Sequence, residues 1–422
     1  MMRMDSKGIR NVKIVLVVAV VALLAVSVYE VANYGHEVKW KFTQPTIYSG
    51  EYYSAQWANG TIYVYHQLGS EKGFYALNQD GKVIWSLTED AYDFTQPTVS
   101  PNGTVYVGPV PDESNNQSFS AFSPNGTILW SYAVSNGYFQ DTLIGPEGNV
   151  YTNHLLQNGL NYLGCEFLSL SPDGHLLWRQ WSQYAPSFIV SNNGTLLMCQ
   201  DGNLTGYSLN GSILWKMPFS YFPSDSVQGN DALYFAMNAG LNESGRIGTR
   251  ADLVAIGSNG SELWKYPDIL EPTTNMANFE CYGPVVDEGN GNIFFVRCNW
   301  TLDSYASTLY ALGPDGTKLW EYHDTFMGPP AVHDGLVVIE TNSGLTALDL
   351  DGNVEWKTNI GYSPYTWSPA PAIGSDGTVY ATVNDGIVAV GKNPIVLELG
   401  LLILLPIIAI CLFIIWRAKK GI

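Results

Sequence analysis

Eight tryptophans end copies of one recurring phrase, and this repeat constrains the fold more than any other feature of the chain. A representative copy is AFSPNGTILW, which joins an apolar strand, a glycine turn and a strand that ends on the tryptophan. The eight residues are Trp40, Trp85, Trp130, Trp178, Trp215, Trp264, Trp320 and Trp356. Their successive spacings are 45, 45, 48, 37, 49, 56 and 36 residues, within or close to the range of repeat and propeller architectures. Because one repeat cannot bury its own apolar face, each copy must pack on its neighbours.

Each repeat predicts four short strands. Asn-Gly and Asp-Gly pairs such as Asn102-Gly103 predict two-residue hairpins, and segments such as TVYVG at 104–108 alternate with period two, as a half-buried strand does. The last third strand, 386–391, is followed by no fourth strand, whereas Trp40 is preceded by no third strand. We therefore predict that residues 35–42 supply the missing outer strand. The predicted fold class is all-β, an eight-bladed β-propeller of four-stranded blades over residues 34–393, closed by its N-terminal strand.

The tryptophans have a structural role in this prediction. In a radial array the outer strand of one blade faces the next blade, and a large flat side chain there docks the two sheets together. We interpret all eight as docking residues rather than ligand contacts.

Both ends of the chain are apolar and flanked by basic residues. Residues 1–13 carry Arg3, Lys7, Arg10 and Lys13, and they precede the apolar run 14–28. We predict a transmembrane helix over 14–33, with a cleaved signal peptide as the alternative reading. A second transmembrane helix is predicted over 395–416, followed by the basic tail 417–422. Since basic flanks stay in the cytoplasm, we expect a cell-membrane protein with an extracytoplasmic propeller and both termini cytoplasmic (the N-terminus only if the first helix is retained).

The charge of the central segment agrees with an external location. Residues 30–393 hold 36 acidic and 13 basic side chains, and such a surface repels nucleic acid. We expect no nucleic-acid partner.

Cysteines and sequons point to the same environment. Strand counting predicts two disulfides, Cys281–Cys298 and Cys165–Cys199. Ten Asn-x-Ser/Thr sequons occur, several of them in hairpin turns. Asn116, Asn242 and Asn299 fall in long loops instead, which makes them the glycosylation candidates.

The phrase Ala-Leu-x-x-Asp-Gly-x-x-x-Trp at 76–85, 311–320 and 347–356 resembles the tryptophan-docking repeat of the pyrroloquinoline-quinone-like (PQQ-like) propellers. That superfamily includes quinoprotein dehydrogenases and non-enzymatic scaffolds, among them the propeller of the bacterial outer-membrane assembly machine. The dehydrogenases carry a longer Thr-Gly turn, whereas the turns here are short Asp-Gly or Asn-Gly pairs. The resemblance therefore implies the non-catalytic branch.

A quinone- or metal-dependent oxidoreductase is the alternative function. Pyrroloquinoline quinone has three carboxylates and needs cationic partners, often with a Ca²⁺ ion beside it. The sequence has no adjacent cysteines, no haem motif and no His–carboxylate pairing suited to zinc. We therefore predict no catalytic residues, no metal site and no cofactor, with pyrroloquinoline quinone or Ca²⁺ only under the alternative.

Long loops all project from one face in the predicted topology. They connect second to third strands, or follow each tryptophan, whereas the other turns are tight. Variable loops on a rigid scaffold usually carry recognition. The candidate binding residues are Tyr138, Asp141, Glu280, Tyr282, Trp300, Tyr362, Tyr365 and Trp367. We predict a membrane-anchored scaffold at the cell envelope that binds a protein or glycan through this face.

Overall fold

A computed structural model describes most of the central segment. The described residues are 35–43, 52–68, 71–89, 97–111, 117–134, 137–158, 161–191, 193–200, 202–219, 222–229, 232–238, 251–266, 278–300, 305–326, 328–361, 369–383 and 385–392. Among them no helix is long and apolar enough to cross a membrane. The predicted spans 14–33 and 395–416 lie outside the described residues.

The described chain forms 32 β-strands. The first sixteen are β1 His36–Thr43, β2 Tyr52–Ala58, β3 Thr61–Leu68, β4 Glu71–Leu77, β5 Val83–Glu89, β6 Thr98–Val99, β7 Val105–Pro111, β8 Gln117–Phe122, β9 Ile128–Ala133, β10 Gly137–Ile144, β11 Val150–Asn158, β12 Asn161–Leu170, β13 Leu176–Ser182, β14 Ser187–Val190, β15 Leu196–Gln200 and β16 Asn203–Tyr207. The others are β17 Ile213–Pro218, β18 Phe222–Gln228, β19 Ala232–Asn238, β20 Ala251–Gly257, β21 Glu262–Tyr266, β22 Asn278–Val286, β23 Ile293–Trp300, β24 Tyr305–Leu312, β25 Lys318–Asp324, β26 Ala331–His333, β27 Leu336–Thr341, β28 Gly344–Asp349, β29 Val354–Thr358, β30 Ala372–Ile373, β31 Val379–Val383 and β32 Gly386–Lys392.

These strands make eight antiparallel sheets of four. Blades 1 to 7 are consecutive groups from β2–β5 to β26–β29, and blade 8 has the order β30-β31-β32-β1. First strands of successive blades contact one another, including β30 with β2, so they surround the axis and the ring closes. The predicted eight-bladed, four-stranded propeller is confirmed, as is its closure by the N-terminal strand.

Closure depends on the pairing of β1 with β32. The register places His36 opposite Lys392 and Phe42 opposite Ile387. Phe42 is buried in the cluster between blades 8 and 1, where it lies 5.2 Å from the Tyr75 ring. Strand β1 thus removes a sheet edge and completes a core.

The apolar core is divided into eight clusters, one between each pair of adjacent blades. Strands alternate their side chains between two faces, and both faces of a blade are covered by a neighbour. This explains why second and third strands such as β31 are buried along their whole length.

Seven of the eight docking tryptophans share one contact with the next blade. Each indole Nε1 donates a hydrogen bond to a carbonyl oxygen in the turn before the next outer strand, as Trp130 does to Pro172 at 2.8 Å. The others donate in the order Trp40 to Gln79, Trp85 to Pro124, Trp178 to Leu209, Trp215 to Ser258, Trp264 to Pro314 and Trp320 to Leu350, at 2.7–2.9 Å. Each of these contacts joins one blade to the next, as expected of a docking residue.

The recurring turns differ from the predicted two-residue hairpins. In the turn after β8, Gly126 N donates to Ser123 O and Ser123 N donates to Thr127 O, which encloses a three-residue loop. A two-residue type I′ hairpin needs positive φ at both of its central residues. Among the described residues this occurs at Asn59-Gly60 and Asp334-Gly335, whereas in the turn after β8 only Gly126 has a positive φ, +83°. A type I turn followed by a left-handed glycine produces the longer loop.

The two predicted disulfides are wrong in this structure, where Cys165, Cys199, Cys281 and Cys298 are thiols. A register shift between Tyr282 and Val285 places Cys281 opposite Arg297 and Glu280 opposite Cys298. Cys281 therefore faces blade 5 and Cys298 faces blade 7, in two different clusters. A one-residue change of register moves a side chain to the other face of a sheet.

Candidate functional site

The largest elaboration of the loop-rich face in the described residues is the β11–β12 hairpin of blade 3. These strands have 9 and 10 residues, whereas β15 and β16 in the next blade have 5 each. Strand β13 pairs with β12 only from Cys165 onward. Residues 161–164 therefore extend beyond the outer strand and project from the ring.

Exposed aromatic and apolar side chains lie on the projecting end of this hairpin and, beside it, on the end of β13 and the chain that leaves it. Tyr162, Leu163, Trp181 and Tyr184 are 40%, 57%, 59% and 63% exposed. We call these four residues the blade-3 patch. Exposure of several large apolar side chains in one place is uncommon on a protein that acts alone, and it marks interaction surfaces.

Trp181 is held flat against the hairpin backbone. Gly164, with φ +144°, lies under the indole, and a Cβ there would come 2.8 Å from the ring. The glycine is therefore required both by its backbone conformation and by the close approach of the indole. More than half of the Trp181 surface nevertheless stays exposed to solvent.

Three tyrosines converge near the same point. Burial raises the pKa of Tyr162, and the neighbouring Cys165, Tyr138 and Tyr184 groups add to the rise. Tyr138 lies half-buried on β10. This sequence-predicted residue therefore belongs beside the blade-3 patch.

The segment that carries Tyr184 is fixed by side-chain hydrogen bonds. Ser182 Oγ donates to the Tyr184 carbonyl oxygen and accepts a bond from Tyr184 N at 3.2 Å. Gln200 Nε2 of blade 4 donates to Ser182 Oγ at 2.8 Å. The patch is thus braced by the neighbouring blade before any partner arrives.

A buried polar layer supports the patch from below. His154 is 1% exposed, stacks on Phe139 with ring centroids 4.9 Å apart, and places Nδ1 3.8 Å from Glu166 Oε2. Arg179 Nη1 lies 3.4 Å from the other Glu166 oxygen. These contacts link the inner and outer strands of blade 3 and make its upper part rigid.

Asn153 connects this layer to blade 4 and to the axis. Its Nδ2 donates to the Pro186 carbonyl oxygen at 2.9 Å, and its Oδ1 accepts from Cys165 Sγ at 3.7 Å. Asp141, a predicted binding residue on the innermost strand β10, is exposed to solvent and hydrogen-bonds Asn153. Burial by the surrounding wall raises the pKa of Asp141, and the Asn153 hydrogen bond opposes that rise.

The other predicted binding residues are not brought together with these. Tyr282 is 7% exposed and packs with Phe294 and Val296 in the cluster between blades 6 and 7, so its predicted place on the binding face is wrong. Glu280 and Trp300 lie at the ends of β22 and β23, where Glu280 is opposite Cys298 and Trp300 is opposite Asn278.

Several predicted residues fall outside the described part of the chain. These are Tyr362, Tyr365 and Trp367, together with the glycosylation candidates Asn116 and Asn242. The third glycosylation candidate, Asn299, lies on β23 opposite Phe279. Its predicted place in a long loop is wrong, because β22 and β23 stay paired as far as Trp300.

The sequence interpretation overlooked Tyr162, Leu163, Trp181 and Tyr184. One signal was present, because Trp181 is a second tryptophan three residues after the docking Trp178. Residues two positions apart on a strand share a face and those three apart do not, so Trp181 could not repeat the docking contact.

A cavity of about 970 Å³ opens around the axis on the opposite, tight-turn face. The charged groups in its described lining are Asp287, Glu288 and Asp334, with His333 beside them. A quinone with three carboxylates would meet carboxylates here, so this cavity does not fit pyrroloquinoline quinone. Within the described residues no cluster of three or more His, Cys, Asp or Glu side chains is arranged to hold a metal ion.

The repeat sequence and the propeller agree with one protein family. The sequence model of the family described as outer membrane protein assembly factor BamB matches residues 70–233 and 249–393, well over half of the chain. The chain belongs to this family. Membership of the BamB family confirms the predicted PQQ-like propeller superfamily.

Solved structures align with the chain at low sequence identity. BamB from Moraxella catarrhalis is 12% identical, with 84% of this chain and 100% of that chain covered and a TM-score of 0.48. The Dos1 propeller is 10% identical over 85% of this chain and 95% of that chain, with a TM-score of 0.50. A streptogramin B lyase is 15% identical over 85% and 98%, with a TM-score of 0.49. No curated protein sequence matches the chain.

Proposed function

We propose that the protein is a membrane-anchored scaffold of the cell envelope, and that it binds a protein partner through the blade-3 patch. The observation that carries the proposal is the exposed group of Leu163, Trp181 and Tyr184 on a hairpin braced by buried hydrogen bonds. Tryptophan and tyrosine dominate the energetics of protein interfaces. Assembly factor, the description of the BamB family, is a binding role of the same kind.

The geometry favours an extended segment of the partner. Residues 161–164 run beyond the end of β13, so their outer edge is available for a further strand. A peptide added there would gain main-chain hydrogen bonds, while Trp181 and Tyr184 would contact its side chains. A glycan, the other partner class considered from the sequence, would stack on the indole without needing that strand edge.

The test is a binding measurement on purified full-length protein. Partners would first be captured by a photoreactive amino acid at Tyr184 in native membranes, identified by mass spectrometry and then titrated as purified proteins. We expect Trp181→Ala and Tyr184→Ala each to weaken binding at least tenfold, about 1.4 kcal/mol or more. Leu263→Ser, which removes a comparably exposed side chain on blade 5, is the matched control and should leave binding unchanged.

Two results would contradict the proposal. Binding that is equal in the wild type, Trp181→Ala and Tyr184→Ala would exclude the patch. Binding of oligosaccharides on an array, lost in Trp181→Ala with no protein captured, would replace the protein partner by a glycan.

Membrane anchoring is proposed from the two chain ends. His36 is opposite Lys392, so the two described chain ends that lead toward the apolar segments 14–28 and 395–416 are neighbours. In intact cells, external protease should remove the propeller and leave an epitope on the 417–422 tail protected. Full protection of the propeller would overturn the extracytoplasmic assignment.

A further inference from the structure

A rim of exposed apolar side chains follows the tight-turn edge of half the ring. Every outer strand has a register shift just before its docking tryptophan. In blade 1, Leu77 is opposite Val83 and Ala76 is opposite Trp85, which leaves Ile84 as the extra residue of a bulge. The bulge turns both Val83 and Ile84 outward, and they are 49% and 51% exposed.

The composition of these two positions divides the ring into halves. In blades 1 to 4 both are apolar, namely residues 83–84, 128–129, 176–177 and 213–214. We call these four pairs the apolar half-rim. In blades 5 to 8 one member of each pair is charged, namely Glu262, Lys318, Glu355 and Lys39.

Charge on the tight turns follows a similar division, except in blade 5, where the sequence of the corresponding segments holds one acid, Asp231. The turns of blades 6 to 8 carry seven carboxylates, Asp287, Glu288, Asp315, Asp334, Asp349, Asp351 and Asp376. Those of blades 1 to 4 carry three, Asp80, Glu147 and Asp173, and otherwise present asparagines. The half of the ring with the apolar rim is thus also the half that a phosphate-bearing surface repels least.

The chain ends leave the ring at the same edge. Strand β1 begins at His36 and β32 ends at Lys392, both at the tight-turn face of blade 8, which adjoins blade 1. The apolar segment 14–28 ends eight residues before His36, and the segment 395–416 begins three residues after Lys392. Those short tethers hold the tight-turn face near any membrane that the two segments cross.

We propose that the apolar half-rim rests against the lipid surface of that membrane, which turns the blade-3 patch away from it. This rests on the membrane anchoring proposed above. The four pairs occupy equivalent positions in their blades and therefore lie at one height on the ring. A planar bilayer contacts them together, whereas a second propeller approaching edge to edge would meet only one or two blades.

The experiment is site-specific photocrosslinking of the full-length protein in nanodiscs of phosphatidylcholine that carries a mass tag. A benzophenone amino acid replaces Ile84 or Leu129 in the half-rim, or Leu263 or Leu319 at the same bulge position in blades 5 and 6. Leu402, within segment 395–416, is the reference for anchoring. Mass spectrometry then measures the lipid adduct at each position.

We expect several-fold more lipid adduct at Ile84 and Leu129 than at Leu263 and Leu319. Adduct at Leu402 but at none of the four rim positions would overturn the half-rim proposal and leave anchoring intact. Equal adduct at all four would also overturn it, because the two halves would then face the membrane alike. Crosslinks between two copies at Ile84 would assign the rim to a dimer instead, and absence of adduct at Leu402 would overturn the anchoring itself.

Discussion

At the residue scale, the glycine in each turn before an outer strand has two roles. It closes the turn of its own blade, and it leaves room for the docking tryptophan of the preceding blade. Gly126 has φ +83°, and a Cβ on it would lie 2.8 Å from the Trp85 ring. The same approach recurs at Gly81, Gly174, Gly211, Gly260, Gly316 and Gly352. Sequence motifs identify these glycines as turn residues, but their contact with the indole depends on the packing of two blades.

Gly126→Ala should therefore destabilise the protein more than a substitution that strains only the turn. We expect a loss of about 2–4 kcal/mol, from positive φ together with displacement of the Trp85 indole. Gly377→Ala is the matched control, because Gly377 closes the same kind of turn with φ +76° and its Cβ would meet nothing within 4 Å. Its expected cost is about 1–2 kcal/mol. Denaturant unfolding of both variants measures the difference, and equal losses would show that the indole contact is unimportant.

Where the ring closes, the side chain of His36 takes the place that a turn of the next blade has beside each of the other docking tryptophans. In blade 8 the third strand β32 and the outer strand β1 come from opposite ends of the chain, so no turn joins them. The His36 ring stacks on Trp356 of blade 7 at 4.3 Å with an interplanar angle of 13°. Thr358 Oγ1 donates to the His36 carbonyl oxygen at 2.9 Å. Burial, aided by Lys392 and Lys39, lowers the pKa of His36 to about 4.

Ring closure should weaken on mild acidification. The unfolded chain binds a proton at His36 near pH 6.5, whereas the folded chain resists protonation until about pH 4. The contribution of neutral His36 is therefore complete above pH 6.5 and is lost as the pH falls from 6.5 to 4, on the order of 1–3 kcal/mol. His36→Phe keeps the stacking and removes the titration. Between pH 7 and pH 4.5 the free energy of unfolding should decrease more for the wild type than for the variant. An equal decrease in both would assign the effect to other groups.

At the element scale, the unit of stability is an outer strand together with the turn of the next blade. Trp130 contributes its ring to the cluster with Tyr106 and Phe119 and its Nε1 hydrogen to Pro172. The alternation of side chains along a strand predicts which face of the sheet such a residue occupies. The bulge before the tryptophan interrupts that alternation. The same kind of shift at Tyr282–Val285 defeated the prediction of the Cys281–Cys298 disulfide.

Trp130→Ala is expected to cost about 3–5 kcal/mol, because it removes a large ring from an interblade core. Trp130→Phe keeps part of the packing and loses the hydrogen bond, so a smaller loss is expected. Trp181→Ala on the outer strand of the next blade serves as the comparison, since Trp181 is 59% exposed and its removal should cost below about 1 kcal/mol. Thermal or denaturant unfolding measures all three, and similar losses at Trp130 and Trp181 would contradict the docking role.

At the scale of the whole molecule, eight interblade clusters form a closed series that β1 completes. The strand supplies Phe42 and Trp40 to the cluster between blades 8 and 1. Its basic side chains Lys39 and Lys41 lie beside Asp376 and Asp385 of the same blade. Closure holds both described chain ends at one point, and the proposed anchoring by two terminal segments requires this arrangement.

Deleting residues 36–43 from the full-length chain should therefore open the ring and expose the edge of β32. We expect loss of the cooperative unfolding transition and rapid proteolysis within the propeller. A synthetic peptide of residues 35–43 should restore protection by adding the missing strand, whereas a scrambled peptide should not. If the deleted chain unfolds as cooperatively as the wild type, β1 is dispensable for closure.

The sequence by itself determined the number of blades, their four strands, the docking tryptophans and the closing strand. These features depend on local periodicity and on repetition, so each additional copy strengthened the same interpretation. The tertiary structure decided the register shifts, the opposite facing of Cys281 and Cys298, the burial of Tyr282 and the exposure of Trp181 and Tyr184. Those outcomes depend on how far each strand extends past its neighbour and on which side of a bulge a residue lies, and packing between blades sets both.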